Sequence, residues 1–136
     1  MKSHGDFANE LEGDLDARNS GLVRLFVRLA YEKADASPSV QLSEVYKQLA
    51  TSRSTLASAT KKAYGIGPKE LMRRVRLEYC WRAFVRPGST TKIETTMRRY
   101  GFTNRKAFAD HYRNVYQELP SATLQRGFGQ LRLKGI

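Results

Sequence analysis

The stretch SRSTLASATKKAYGIGP, residues 52–68, falls on NRKAFADHYRNVYQELP, residues 104–120, at a constant offset of 52. Ser52 meets Asn104, Arg53 meets Arg105, Leu56 meets Phe108, Lys61 meets Arg113, Ala63 meets Val115, Tyr64 meets Tyr116 and Pro68 meets Pro120. Ser52 and Asn104 are both natural N-caps, because a short side-chain oxygen can accept one of the orphan N–H groups of a helix's first turn. Each copy is preceded by a short striped segment and a turn, with Ala50-Thr51 in the first and Gly101-Phe102 in the second. A short helix, a tight turn and a second capped helix make the helix-turn-helix plan, whose second helix enters the major groove of DNA.

Outward from the repeat, the pattern stays helical. Pro38, Pro68, Pro87 and Pro120 punctuate the chain, and alternating strand-like patterns are absent between them. Residues 1–19 are polar and predict a flexible acidic tail. From Ser20 a stripe of Leu22, Leu25, Phe26, Leu29 and Ala30 follows helical spacing and stops before Ser37-Pro38. Leu42, Val45, Tyr46 and Leu49 mark a short helix. The helix after Ser52 turns Leu56, Ala59 and Ala63 inward and ends at Gly65, which suits a left-handed C′ position. Pro68 opens a longer helix to about Val85, with Leu71, Met72, Val75, Tyr79 and Phe84 on its apolar side, halted by Pro87-Gly88. Thr91-Lys92-Ile93-Glu94 reads as a capping box for the next helix, which ends near Gly101. Asn104 starts a helix carrying Phe108, Tyr112, Val115 and Tyr116 on one face, and Ser121 is placed to cap a final short one. The expected fold is all-α: about seven helices in two helix-turn-helix subdomains, residues 20–66 and 87–126, joined by a linker helix over 67–86. A C-terminal tail follows over 127–136.

Charge names the class of partner. The 136 residues contain 24 Lys and Arg against 13 Asp and Glu, a net charge of +11. Such a surplus is the footprint of a polyanion, since each Lys or Arg near a phosphate releases condensed counterions. It is uneven as well: residues 1–16 hold one lysine, Lys2, against Asp6, Glu10, Glu12, Asp14 and Asp16. No apolar run approaches a membrane span, and the N-terminus lacks the apolar core of a signal peptide, so a cytoplasmic, nucleoid-associated protein is expected.

The linker converts two motifs into a mechanism. Eighteen residues from Pro68 to Val85 make a rod of about 27 Å at a rise of ~1.5 Å per residue. Adjacent major grooves on one face of DNA lie ~34 Å apart. A rod of that length suits two recognition helices in neighbouring grooves with some bending of the duplex, reading a bipartite asymmetric site as a monomer or weak dimer.

LSEVYKQLATSRSTL (42–56), KKAYGIGPKELMRRVRL (61–77) and GFTNRKAFADHYRNVYQELPSATL (101–124) together resemble the DNA-binding domain of AraC/XylS-type bacterial transcription regulators. The resemblance runs from about Leu22 to Arg126. It is most specific at Gly65–Pro68, at Arg76-Leu77, and at Gly101-Phe102 followed by Phe108 and Pro120. The segment PSATLQRG (120–127) looks like the branch containing ethanolamine-utilisation regulators. It implies two helix-turn-helix subdomains, double-stranded promoter DNA as partner, often RNA polymerase as a second, and activation more than repression. Carried over by position, base-facing residues of the first recognition helix fall on Ser54, Ala57 and Ser58, and those of the second on Arg105, Lys106, Ala107 and Asp110. Arg105 can donate two hydrogen bonds to guanine O6 and N7 and Lys106 can reach a base or a phosphate, whereas the serines make short, permissive contacts. The second unit is therefore expected to discriminate more between bases, although phosphate contact alone is an equally open role for Arg105 and Lys106.

This chain departs from the family pattern where a small residue usually packs on each recognition helix: Tyr46 and Met97 stand there, Thr96 replaces an Ile, and Ala50 replaces the first turn glycine. These regulators typically carry a separate ligand-binding domain before the DNA-binding part, and residues 1–19 are too few to hold one, so the expectation is either a stand-alone DNA-binding domain controlled by its abundance or a fragment of a longer regulator. The candidate phosphate contacts are Arg53, Lys61, Lys62, Arg73, Arg74, Arg98, Arg99, His111 and Arg113, with Arg76 open to a structural bond instead. Tyr79, Cys80 and Trp81 are expected to pack in or near the core. One cysteine and two distant histidines, His4 and His111, offer no metal site, and no phosphate loop, nucleophile elbow or carboxylate pair suggests an enzyme or a cofactor. Two rival readings stay open: a protein-interaction module of the same fold that sequesters another regulator or contacts RNA polymerase, and an architectural DNA binder with little sequence preference.

Overall fold

A computed structural model describes the backbone of residues 4–134 and the side chains of 20–127. Seven helices and no strands occur among the described residues: α1 His4–Ala36, α2 Leu42–Leu49, α3 Arg53–Tyr64, α4 Pro68–Val85, α5 Ile93–Arg99, α6 Arg105–Tyr116 and α7 Pro120–Lys134. The all-α expectation therefore holds. No helix among these residues is long and apolar enough to cross a membrane.

The chain divides into two compact units, one of residues 1–30 and 41–71, the other of 31–40 and 72–136. Two of the three boundaries, at 30/31 and 71/72, fall inside helices α1 and α4, and the third lies between α1 and α2. The segment read as a linker, 67–86, is thus mostly part of the second unit, and so is the end of the first helix.

Several element ends differ from the sequence expectation. The helix expected from Ser20 begins at His4. Residues 1–3 of the expected tail, and the side chains of 4–19, lie outside the described residues. The last helix starts at Pro120 rather than behind a Ser121 cap and runs 15 residues. Pro68 and Pro120 thereby occupy the same place, the first helical position, where the missing N–H costs nothing. The carbonyls of Gly67 and Leu119 accept from Leu71 and Thr123 N–H at 3.0 and 3.3 Å, so the offset of 52 extends into the backbone. Gly127, expected in a tail, is buried; its carbonyl accepts the Gly88 N–H at 3.0 Å, and a Cβ there would stand 2.7 Å from the Phe84 carbonyl oxygen.

In the first unit Val23, Phe26, Leu29, Ala30, Val45, Leu56, Ala59 and Leu71 are buried. Leu25, placed in the apolar stripe, is instead 53% exposed, and Ala63, expected inward, is exposed too. Thr60 is buried in its stead, its hydroxyl donating to the carbonyls of Leu56 (3.1 Å) and Ala57 (3.2 Å), which removes the cost of burying a polar group. The second unit is held by Leu77, Cys80, Phe84, Met97, Phe108 and Tyr112, with Trp81, Ile93, Tyr100, Phe102, Val115, Tyr116 and Leu124 packed around them. Trp81 stacks on Tyr116 at 5.9 Å and Tyr79 on Tyr100 at 5.1 Å, as the packing role predicts. Burial pushes the Cys80 thiol up to about 12, so at neutral pH it is an inert hydrophobe.

Candidate nucleic-acid interface

In the first unit α2 ends at Ala50, whose φ of 51° is left-handed although it carries a Cβ. Ala50 N–H donates to Lys47 O and Thr51 N–H to Tyr46 O, closing the turn. The Ser52 hydroxyl then accepts from Thr55 N–H at 3.2 Å, as expected of the cap, and α3 ends at Gly65 with φ 75°. At about 100° per residue, Ser54 and Ser58 lie opposite the buried Leu56 and Thr60 and are exposed, with Ala57 half-buried at the flank.

The second unit repeats this with different side chains. Gly101 takes φ 93°, its N–H bonds Arg98 O, and Phe102 N–H bonds Met97 O at 2.9 Å. Asn104 Oδ1 accepts from Ala107 N–H at 2.8 Å. Phe108 and Tyr112 are buried, leaving Lys106 and Asp110, the counterparts of Ser54 and Ser58, exposed on the far face with Ala107. α6 ends at Gln117 in a left-handed conformation, matching Gly65. The expected capping box does not form. The N-cap is Lys92, whose side chain accepts nothing; the Thr91 hydroxyl pairs with that of buried Thr96 at 2.9 Å, and Glu94 turns outward to cations.

The two recognition helices share one further relationship. The first arginine of each is held by the helix before it. Arg53 lies over the Tyr46 ring, 5.7 Å from its centroid, and Arg105 Nη1 reaches Glu94 Oε2 at 3.5 Å. The unusual Tyr46 thus remains half-buried at the surface as a platform, whereas Met97 is fully buried in the core. Arg98 Nε donates to the other Glu94 oxygen at 2.9 Å, so one carboxylate serves both arginines. Glu94 was missed as a member of this surface; its spacing of four from Arg98 was the available signal.

The candidate phosphate contacts divide by environment. Arg53, Lys61, Lys62, Arg74, Arg98 and Arg113 are exposed, whereas Arg73 and His111 are half-buried. Arg99, also exposed, is bound to the Asp35 carbonyl at 2.9 Å and its carboxylate at 3.4 Å, and lies over Tyr100. Arg76 makes the structural bond: Nη2 donates to Val40 O at 3.0 Å, and its surroundings lower its pKa by burial.

Residues 45–126 match the family model described as "Helix-turn-helix domain". A solved structure described as a "probable AraC family transcriptional regulator" from Rhodopseudomonas palustris CGA009 superposes with a TM-score of 0.63 at 26% identity, covering 75% of this chain and 96% of that one. The chain belongs to the AraC-type helix-turn-helix family. This AraC-type domain also shares its fold with the C-terminal domain of the two-component response regulator yesN from Fusobacterium nucleatum subsp. nucleatum ATCC 25586 (TM-score 0.60, 19% identity, covering 75% of this chain and 97% of that one). It is 29% identical over 120 residues to the regulatory protein HrpB of Ralstonia nicotianae (strain ATCC BAA-1114 / GMI1000), covering 88% of this chain but only a quarter of that relative's length. It is therefore the DNA-binding type of domain found in transcription regulators.

Proposed function

We propose that this domain is a sequence-specific regulator of transcription that reads a bipartite site, with α3 in one major groove and α6 in the next. The carrying observation is the repeated exposed face: Ser54 and Ser58 in one unit, Lys106 and Asp110 in the other, each opposite a buried pair and each behind a side-chain cap. The chemistry of these faces makes them unequal. Lys106 and Arg105 carry donors long enough for base edges, and Asp110 can accept from cytosine N4, while Ser54, Ala57 and Ser58 give short contacts. The flanking cations Arg53, Lys61, Lys62, Arg73, Arg74, Arg99, His111 and Arg113 hold phosphates and fix register. The family resemblance favours activation, with RNA polymerase as the second partner, from a monomer or weak dimer on the cytoplasmic nucleoid.

Competition binding tests this. The full chain should prefer duplexes enriched from a randomised pool over scrambled ones by about 10³-fold or more, with steep salt dependence. Equal affinity for all duplexes would leave an architectural binder, and no binding at moderate salt would leave a protein-interaction module. A genome-wide occupancy map then supplies the target genes and the sign of regulation.

A further inference from the structure

We propose that Glu94 is a specificity-determining residue of the second unit, penalising phosphate contacts by Arg98 and Arg105 while leaving contact with a guanine edge open. The inference rests on the DNA-binding reading above. One carboxylate bridges two cations, at 2.9 Å to Arg98 Nε and 3.5 Å to Arg105 Nη1. All three side chains are open to solvent, Glu94 at 45% and each arginine at 58%. The bridge is therefore not a structural bond: solvent-exposed pairs of this kind are cheap to open. What it changes is the local field. Arg105 and Arg98 together present two positive charges, and Glu94 lies between them and cancels one.

A phosphate and a guanine respond differently to that arrangement. A phosphate oxygen is anionic, so it must displace Glu94 from an arginine and then remain beside a displaced carboxylate that repels it. Guanine O6 and N7 are neutral acceptors. Arg105 has five N–H donors, enough to give two to a guanine and keep one toward Glu94. Charge repulsion of this kind acts against wrong partners more than it weakens the right one. Tyr46, which holds the equivalent Arg53 through its ring face, carries no charge and imposes no such penalty. The discrimination built by Glu94 is thus confined to the unit that already bears the longer base-reading side chains.

The test uses the full chain and two probes: a 30-bp duplex enriched from a random pool by the wild type, and a scrambled duplex of the same composition. Glu94→Gln should tighten binding to the scrambled duplex by roughly 5–10-fold and to the enriched one by less than about 3-fold, narrowing the ratio. Its salt dependence on the scrambled duplex should steepen by about 0.9 in log–log slope for each additional phosphate neutralised. Both effects should vanish in an Arg98→Gln/Arg105→Gln background, and Glu32→Gln, an exposed carboxylate elsewhere in the unit, should not reproduce them. Equal tightening on both duplexes, or the same tightening without the two arginines, would overturn the proposal while leaving DNA binding intact. Failure of the wild type to bind either duplex, or to enrich any, would overturn the underlying reading and this proposal with it.

Discussion

Gly101 stands so close to Pro38 that a Cβ added to it would lie 2.6 Å from the Pro38 carbonyl oxygen, and its φ of 93° is one that L side chains rarely adopt. Backbone lies on both sides of this approach, so nothing flexible can give way. The corresponding turn residue of the first unit, Ala50, already carries a Cβ at φ 51°. Gly101→Ala should therefore destabilise by about 2–4 kcal/mol, combining left-handed strain with overpacking. Ala50→Gly should move stability by less than about 1 kcal/mol, because relief of strain is offset by the entropy that glycine loses on folding. Urea midpoints of the two variants check this; similar losses at both positions would refute it.

A hydrogen-bond relay that runs from the core to the surface ties α6 to α7. Tyr112 Oη donates to Thr123 Oγ1 at 2.8 Å, Thr123 Oγ1 donates to Glu118 Oε1 at 2.6 Å, and Arg126 donates to both Glu118 oxygens. Thr123→Val keeps the shape but strands the Tyr112 hydroxyl in the core, which should cost about 1–3 kcal/mol. Thr123→Ser should recover most of it. Thermal unfolding of the pair decides, and a Val variant as stable as the Ser variant would rule out the relay.

The same relay has a pH signature. The Arg126 and Thr123 hydrogen bonds hold the Glu118 carboxyl below its ordinary value of 4.5. A depressed folded-state pKa contributes stability above 4.5 that is lost as pH falls through the lower folded value. Glu118→Gln should thus be less stable than wild type at neutral pH, and the gap should close on acidification below about pH 4.5. A gap that stays constant from pH 7 to pH 3 would contradict the linkage.

Cys80 is fully buried, its thiol within 3.9 Å of the Thr96 carbonyl oxygen. Since burial raises its pKa from 9.0 to about 12, its contribution to stability is complete below pH 9 and declines as pH rises toward 12. Native protein should resist thiol-specific labelling at pH 8 and label fully once unfolded. Cys80→Ala should lose less stability than wild type between pH 9 and pH 11. Rapid native-state labelling would show that the thiol is accessible.

On the proposed interface, Arg105→Ala should relax base preference at one position by about 1–3 kcal/mol if it donates to a guanine. Lys62→Ala should weaken enriched and scrambled duplexes alike and flatten the salt slope, as loss of a phosphate partner does. Selectivity profiles from a randomised pool separate the two behaviours, and an Arg105→Ala profile identical to wild type would reassign Arg105 to the backbone.

Much of this was legible in the chain because it depends on neighbours in sequence. The caps at Ser52 and Asn104, the stop at Gly65 and the proline starts at 68 and 120 are set by one residue's own oxygen, missing side chain or missing N–H. Apolar spacing gave the right helices for the same reason. It failed at Leu25 and Ala63, whose spacing is correct but whose side chains stay exposed.

The repeat of residues 52–68 on 104–120 was readable from residue types alone and predicted two capped helices with like-placed faces. What holds each first arginine was not. Whether Arg53 rests on an aromatic ring, whether Glu94 caps its own helix or bridges two arginines, and whether the turn residue can carry a Cβ all depend on which groups a neighbouring helix or loop brings within a few ångströms. Local chemistry sets where a helix begins and ends; only tertiary packing sets which charges meet.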